Sequence, residues 1–275
     1  MTQASVSLEP DGRFSFGQNW RRFLSVLNDE RLKAAEASLH QMLQMDDLRG
    51  KSFLDVGSGS GLFSLAAARL GASRIHSFDF DPDSVACTEE LKRRYRPQMQ
   101  SWTIERGSAL DEEYLRALGK FDIVYSWGVL HHTGDMWRAL ELVAPLAVPG
   151  GRLFIAIYND QGVISRGWTI VKRTYNTGWA GRTLVSAVFM PFFAARGLAL
   201  DLRHARNPLR RYRNSLGRGM SIVHDWHDWL GGYPFEVAAP NRIREFYEGH
   251  GFTLSKIKTC GRSHGCNEFV FFKPV

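Results

Sequence analysis

Phe53-Leu54-Asp55-Val56-Gly57-Ser58-Gly59-Ser60-Gly61-Leu62-Phe63 reads as a strand, a tight turn and the start of a helix. Three glycines at every second position allow backbone conformations with positive φ and let a ligand approach where a Cβ would stand in the way. The helix that follows offers unpaired N–H groups at its first turn, so the stretch is a nucleotide-sized cradle. The dinucleotide fingerprint wants its third glycine at 62, where Leu62 stands. The spacing is therefore G-x-G-x-G, which disfavours a pyrophosphate ligand.

Working outward, Ile75-His76-Ser77-Phe78-Asp79 is an apolar strand that ends in an acid. A ribose-binding carboxylate is expected roughly 20 residues after such a loop. The alternative reading is that Asp79 only caps the segment at Pro82. With Asp55 two residues before the first glycine, the loop resembles motif I of the class I S-adenosylmethionine (SAM) dependent methyltransferases. That resemblance implies SAM as cofactor and S-adenosylhomocysteine as product. By position it gives Asp55, Gly57, Ser58, Gly59 and Gly61 to the methionine end, Asp79 to the ribose, Phe80 to the adenine face, and Ser108 with Ala109 to the adenine edge. Many relatives carry an acid where Ser108 stands, and Asp111 is a substitute for it.

From Lys51 onward strands and helices alternate: strands near 52–56, 74–79, 101–106, 121–126 and 152–158, with helices near 61–70, 82–95, 111–118 and 134–147. Parallel neighbours need crossovers, and right-handed crossovers wind a sheet with helices on both faces. The expected fold is α/β, a doubly wound, mostly parallel sheet. The resemblance implies seven strands, the last antiparallel, supplied by a helix at 240–250 and strands at 252–259 and 267–273. Four segments result: an N-terminal helical segment over 1–48, a SAM-binding core over 49–160, an inserted helical lid over 161–236, and a completing segment over 237–275.

The loop after the fourth strand, Ser126-Trp127-Gly128-Val129-Leu130-His131-His132-Thr133, resembles the post-strand motif of small-molecule methyltransferases. The resemblance places Ser126 and Trp127 beside the cofactor. It lacks the Asn/Asp-Pro-Pro-Tyr/Phe motif of enzymes that methylate exocyclic base amines. Methyl transfer to a hydroxyl needs one base, and His132 or His131 stands at the correct rim for it. Each also reads as a helix cap or loop anchor. A second dense run, His224 to Glu236, holds the pair His224 and Asp225, which reads as a base with its orienting acid or as part of a capped helix. Trp20, Tyr158, Asn159, Trp229, Tyr233 and Glu236 are the candidate acceptor-binding residues. No metal is assigned: a divalent-metal set of His224, Asp225 and His227 is the lesser reading, because adjacent residues project to different sides of a strand or helix, and Cys260-x-x-x-His264-x-Cys266 supplies three groups where a structural zinc site needs four.

The net charge of +7 is concentrated: residues 196–218 hold seven arginines and one acid. A local basic patch suits an anionic group or partner better than a groove that tracks a nucleic-acid backbone. Three cysteines and a polar N-terminus without a signal-peptide pattern lead to a cytoplasmic expectation. Residues 183–202 are mostly apolar, but Pro191 and Arg196 interrupt the run. A lid is expected there, with peripheral lipid contact as an alternative and a spanning helix disfavoured.

The resulting expectation is a methyltransferase of the stand-alone bacterial quinone or natural-product type. Its acceptor is a small molecule, anionic or partly apolar, methylated at oxygen. DNA is excluded as a partner by this reading, RNA is disfavoured, and an oligomer is left open. Two rivals remain: an RNA or protein methyltransferase that docks through Arg196–Arg218, and a non-catalytic SAM-binding regulator.

Overall fold

The computed structural model describes residues 20, 24, 27–204, 207, 226, 229–261, 263 and 265–275. Its centre is one seven-stranded sheet. In chain order the strands are β1 (Ser52–Val56), β2 (Arg74–Asp79), β3 (Trp102–Arg106), β4 (Phe121–Trp127), β5 (Ala147–Tyr158), β6 (Thr253–Lys258) and β7 (Cys266–Phe272). The spatial order is β3-β2-β1-β4-β5-β7-β6. The first five are parallel, and β7 runs antiparallel between β5 and β6.

The helices are α1 (Asp29–Leu43), α2 (Leu62–Arg69), α3 (Pro82–Tyr95), α4 (Glu112–Ala117), α5 (Met136–Val143), α6 (Val163–Tyr175), α7 (Trp179–Arg203) and α8 (Pro240–Gly249). Local chemistry sets their starts. Asn28 accepts the Arg31 N–H, Asp81 that of Asp83, Asp111 that of Tyr114 and Asp135 that of Arg138, each satisfying an orphan donor at a helix N-terminus. Pro82 opens α3, where no N–H is needed, and Lys92, Arg93 and Arg94 close it against the negative end of the helix dipole.

The strands alternate, as a sheet buried on both faces requires. Phe53 packs with Ile75, Trp102, Ile123, Phe154 and α1 on one side. Its neighbour Leu54 packs with Phe78, Val124, Ile155 and Phe269 on the other. Trp102 is 1% exposed, and removing such a side chain costs about 3–5 kcal/mol.

Two boundaries differ from the pattern-based expectation. The helix expected over 134–147 is α5 from Met136 to Val143, followed by a 3₁₀ turn over Ala144–Leu146. Pro145 has no N–H for the helical ladder and ends the α conformation. The fifth strand begins at Ala147 rather than 152, because the pairing shifts register between Phe121 and Ile123. Gly150 donates to the Lys273 carbonyl and Lys273 donates to that of Gly151, so the C-terminus holds the bulge in place. The apolar run at 183–202 is one helix, α7, continuous through Pro191. With α6 it forms a helical hairpin inserted after β5.

Candidate active site

Strand order reverses between β1 and β4, and ligands in open parallel sheets bind outside the strand ends at such a point. The glycine loop leaves β1 there. Gly57 has φ +78°, and a Cβ on it would stand 2.4 Å from the Val129 side chain, so the β1 and β4 loops are in van der Waals contact at this spot. Gly59 has φ +55°, and a Cβ there would meet the Trp20 indole at 3.0 Å. Trp20 thus covers the loop. Here the described part of the N-terminal segment meets the cradle.

Asp79 closes the second side. One carboxylate oxygen accepts the Gly59 N–H and the other the Asp81 N–H, both at 2.9 Å. Burial pushes its pKa from 3.8 up to about 6, partly offset by those amide donors. A carboxylate held at a strand end with too few donors is the group a vicinal diol satisfies. Phe80 is 39% exposed beside it, with the Arg106 guanidinium 5.4 Å from its ring. Ribose and adenine contacts therefore fit these residues, as motif position implied.

Other expected contacts are committed to the frame. Asp55 is 2% exposed and accepts the Ser64 hydroxyl at 2.5 Å on α2. Ser77 lies 2.7 Å from Ser64, and the Trp102 indole donates to Ser77 at 2.9 Å. These bonds form a chain from β3 to β1. Desolvation raises Asp55 to about 7. Ser58 lies 3.1 Å from the Thr88 hydroxyl. Ser126 donates to the Val56 carbonyl, Ser108 accepts the Leu110 N–H, and Ala109 is buried in the core. Asp111 caps α4, so it does not take the place of the acid missing at 108. Trp127 packs on the same cluster as Trp20.

At the ends of β4 and β5 a second group assembles. The His131 and Tyr158 rings lie 4.0 Å apart, His132 and Tyr158 5.4 Å, Tyr158 and Trp229 5.3 Å, and Tyr158 and Phe235 5.2 Å. Lys172 of α6 is fully buried among them. Its ammonium stands 4.4 Å from the Trp229 ring, 4.7 Å from Phe235 and 5.8 Å from Tyr158, and it donates to the Trp229 carbonyl. Such an aromatic enclosure stabilises a cation.

His132 Nδ1 donates to the Pro234 carbonyl at 2.6 Å. Burial first, then the Lys172 charge, pull His132 down to about 3, and burial, followed by the neighbouring His132 and Lys172, holds His131 well below the ordinary histidine range. Both imidazoles are neutral. The Nε2 atom of His131 is buried without a hydrogen-bond partner among the described residues.

Two of the expected acceptor residues hydrogen-bond within the frame, and a third stands beside the ring cluster. The Glu236 carboxylate accepts the Met136 N–H at the start of α5, and burial raises its pKa. Asn159 pairs its amide with the Gly261 carbonyl and the Asn267 side chain, tying β5 to the β6–β7 turn. Tyr233 precedes the Pro234 that holds His132. His224 and Asp225 lie outside the described residues. Lys172 and Phe235 escaped the sequence reading. Lys172 was legible, because Ser165, Trp168, Lys172 and Tyr175 share one face of α6 at helical spacing, and all but partly covered Trp168 are buried.

A family model described as "Methyltransferase domain" matches residues 54–153. Two curated proteins named "Ubiquinone biosynthesis O-methyltransferase" are similar to this chain. The one from Xanthomonas oryzae pv. oryzae is 32% identical over 136 residues, 50% of this chain and 52% of that protein. The one from Brucella melitensis biotype 2 is 30% identical over 135 residues, 49% and 52%. The chain spans about half the length of these relatives.

Among solved structures, the magnesium protoporphyrin IX methyltransferase of Synechocystis PCC 6803 with bound SAH superposes with a TM-score of 0.55 at 14% identity, covering 93% of each chain. PKMT2 from Rickettsia typhi in complex with AdoHcy gives 0.56 at 12%, covering 87% of this chain and 52% of that one. At these identities the structures establish the fold. The glycine loop, the carboxylate at Asp79, the strand order and the matched region agree: residues 54–153 form a methyltransferase domain, and the chain has the fold of the class I SAM-dependent methyltransferases.

Proposed function

We propose that the protein transfers the methyl group of SAM to a hydroxyl oxygen on a small, largely apolar acceptor. The carrying observation is the enclosure of Lys172 by Tyr158, Trp229 and Phe235 beside the neutral His131–His132 pair, on the same rim as the glycine loop. SAM, when bound, supplies an electrophilic methyl and leaves as S-adenosylhomocysteine. The protein then has to orient the acceptor and deal with its proton.

His132 is locked by the Pro234 carbonyl in the tautomer whose Nε2 carries the lone pair, which is the form that accepts a proton. Its depressed basicity makes it a weak base for an aliphatic alcohol. It suits a hydroxyl that holds its proton loosely, such as a phenol, with the Lys172 charge favouring the oxyanion. Aromatic walls suit a flat, apolar acceptor body. The two relatives named as O-methyltransferases support oxygen as the methylated atom.

The test is incubation with methyl-labelled SAM and a panel of phenols, aliphatic alcohols and amines. Label on phenolic oxygen, with release of S-adenosylhomocysteine, is expected. A protein that binds SAM yet labels only amines, or nothing across panels and cell extracts, overturns the proposal.

A further inference from the structure

The α6–α7 hairpin carries an apolar surface that the fold does not use. In α7, Gly181 and Val185 are buried and Phe189 and Phe193 pack toward Trp168 and Trp226. The flanking face exposes Leu184, Val188, Phe192, Leu198 and Leu202, most of them more than half exposed, with Phe192 at the edge beside Phe189 and Phe193 and Trp179 at 83% at the helix start. At 25 residues the helix is about 37 Å long. A helix apolar on all sides ordinarily has both faces covered. Only 11% of its most apolar window is buried inside the protein.

Charge indicates what covers the free face. Across 161–204 the exposed ionic side chains are Arg166, Arg173, Arg196 and Arg203, and the one acid, Asp201, is buried. Arg196 and Arg203 stand two turns apart along the stripe. Aliphatic and phenylalanine side chains on an exposed helix face, a tryptophan at one end and arginines without counter-charges among the described residues are the chemistry of a helix lying in an anionic lipid surface. A spanning orientation would strip Phe189 and Phe193 from the protein they pack on.

We propose that the exposed face of α7 binds the surface of an anionic lipid bilayer in the interfacial plane. The surface stands independently of the transferase reading. If both hold, Lys172 of α6 links the membrane-facing hairpin to the acceptor enclosure, and an apolar acceptor reaches the site from lipid.

Sedimentation with phosphatidylcholine vesicles, with and without phosphatidylglycerol, tests it. The full chain is expected to bind the anionic vesicles and to weaken as salt rises. Val188→Glu with Phe192→Glu should reduce binding by more than about tenfold, and Arg196→Gln with Arg203→Gln should flatten the salt dependence. Circular dichroism and SAM affinity are expected to be unchanged in both, since none of the four residues touches the cradle. Equal binding to neutral vesicles, no vesicle binding at all, or binding indifferent to the Glu pair overturns the proposal. So does a dimer that the Glu pair dissociates while the wild type ignores vesicles, which would assign the face to a second copy of the chain.

Discussion

Asp79→Asn separates a cofactor-binding carboxylate from a structural cap. Asp79 is shifted from 3.8 to about 6, chiefly by burial. A raised acid binds its proton more tightly in the folded chain, so ionisation above pH 6 works against the empty fold, and the penalty is relieved as pH falls from 6 toward 3.8. That gap corresponds to about 3 kcal/mol. Two ribose hydroxyls donating to the charged oxygens recover roughly 1.5–3 kcal/mol each, enough to offset the burial.

Binding of SAM should therefore draw the pKa of Asp79 down and release a proton near pH 6. Below that pH, affinity should fall about tenfold per pH unit. Titration calorimetry in buffers of different ionisation enthalpy, from pH 5 to 8, measures both. Asp79→Asn should weaken SAM by more than about tenfold at neutral pH and abolish the proton release. The empty variant should melt no lower above pH 7 than the wild type, since the buried charge is gone. Asp55, raised to about 7, is the control, and Asp55→Asn should keep the pH slope assigned to Asp79. Unchanged SAM affinity in Asp79→Asn, or a pH slope that survives it, would refute the placement of the ribose.

Gly57→Ala puts a Cβ 2.4 Å from Val129 at φ +78° and should cost about 1–3 kcal/mol of stability; calorimetric melting with and without Val129→Ala, which should restore part of the loss, checks the contact. Ser64→Ala leaves buried Asp55 without its hydroxyl donor, so chemical denaturation should show a loss of about 1–3 kcal/mol, with SAM affinity much less affected. Lys172→Met should lower kcat on the labelled phenol by about tenfold or more and spare the KM for SAM. Because Lys172 helps to hold His132 low, the acid limb of the kcat profile should also move to higher pH. An unchanged profile would remove the charge from the mechanism.

The cofactor side was legible because its determinants are local. A glycine loop between a strand and a helix, with an acid ending the next strand, is written in consecutive residues, and Gly57, Gly59 and Asp79 need only their own elements to be in place. Strand and helix alternation likewise carried the five parallel strands, while the antiparallel β7 was implied by the family resemblance. Motif position does not foretell the hydrogen-bond partners of Ser126 and Asp55, because other elements supply them: the Val56 carbonyl accepts the Ser126 hydroxyl, and the Ser64 hydroxyl donates to Asp55.

The sequence by itself determined the sheet and its switch point and marked Asp79 as the acid proposed for the ribose, since periodicity and turn chemistry act within a few residues of one another. Only the tertiary structure decided the acceptor side. It brought Lys172 from α6, Trp229 and Phe235 from the end of the inserted segment, and His132 from the loop after β4 into one enclosure, although Lys172 and Trp229 are 57 residues apart. It also left one face of α7 bare. Burial of a charge and exposure of an apolar stripe are properties of packing, and no run of consecutive residues encodes them.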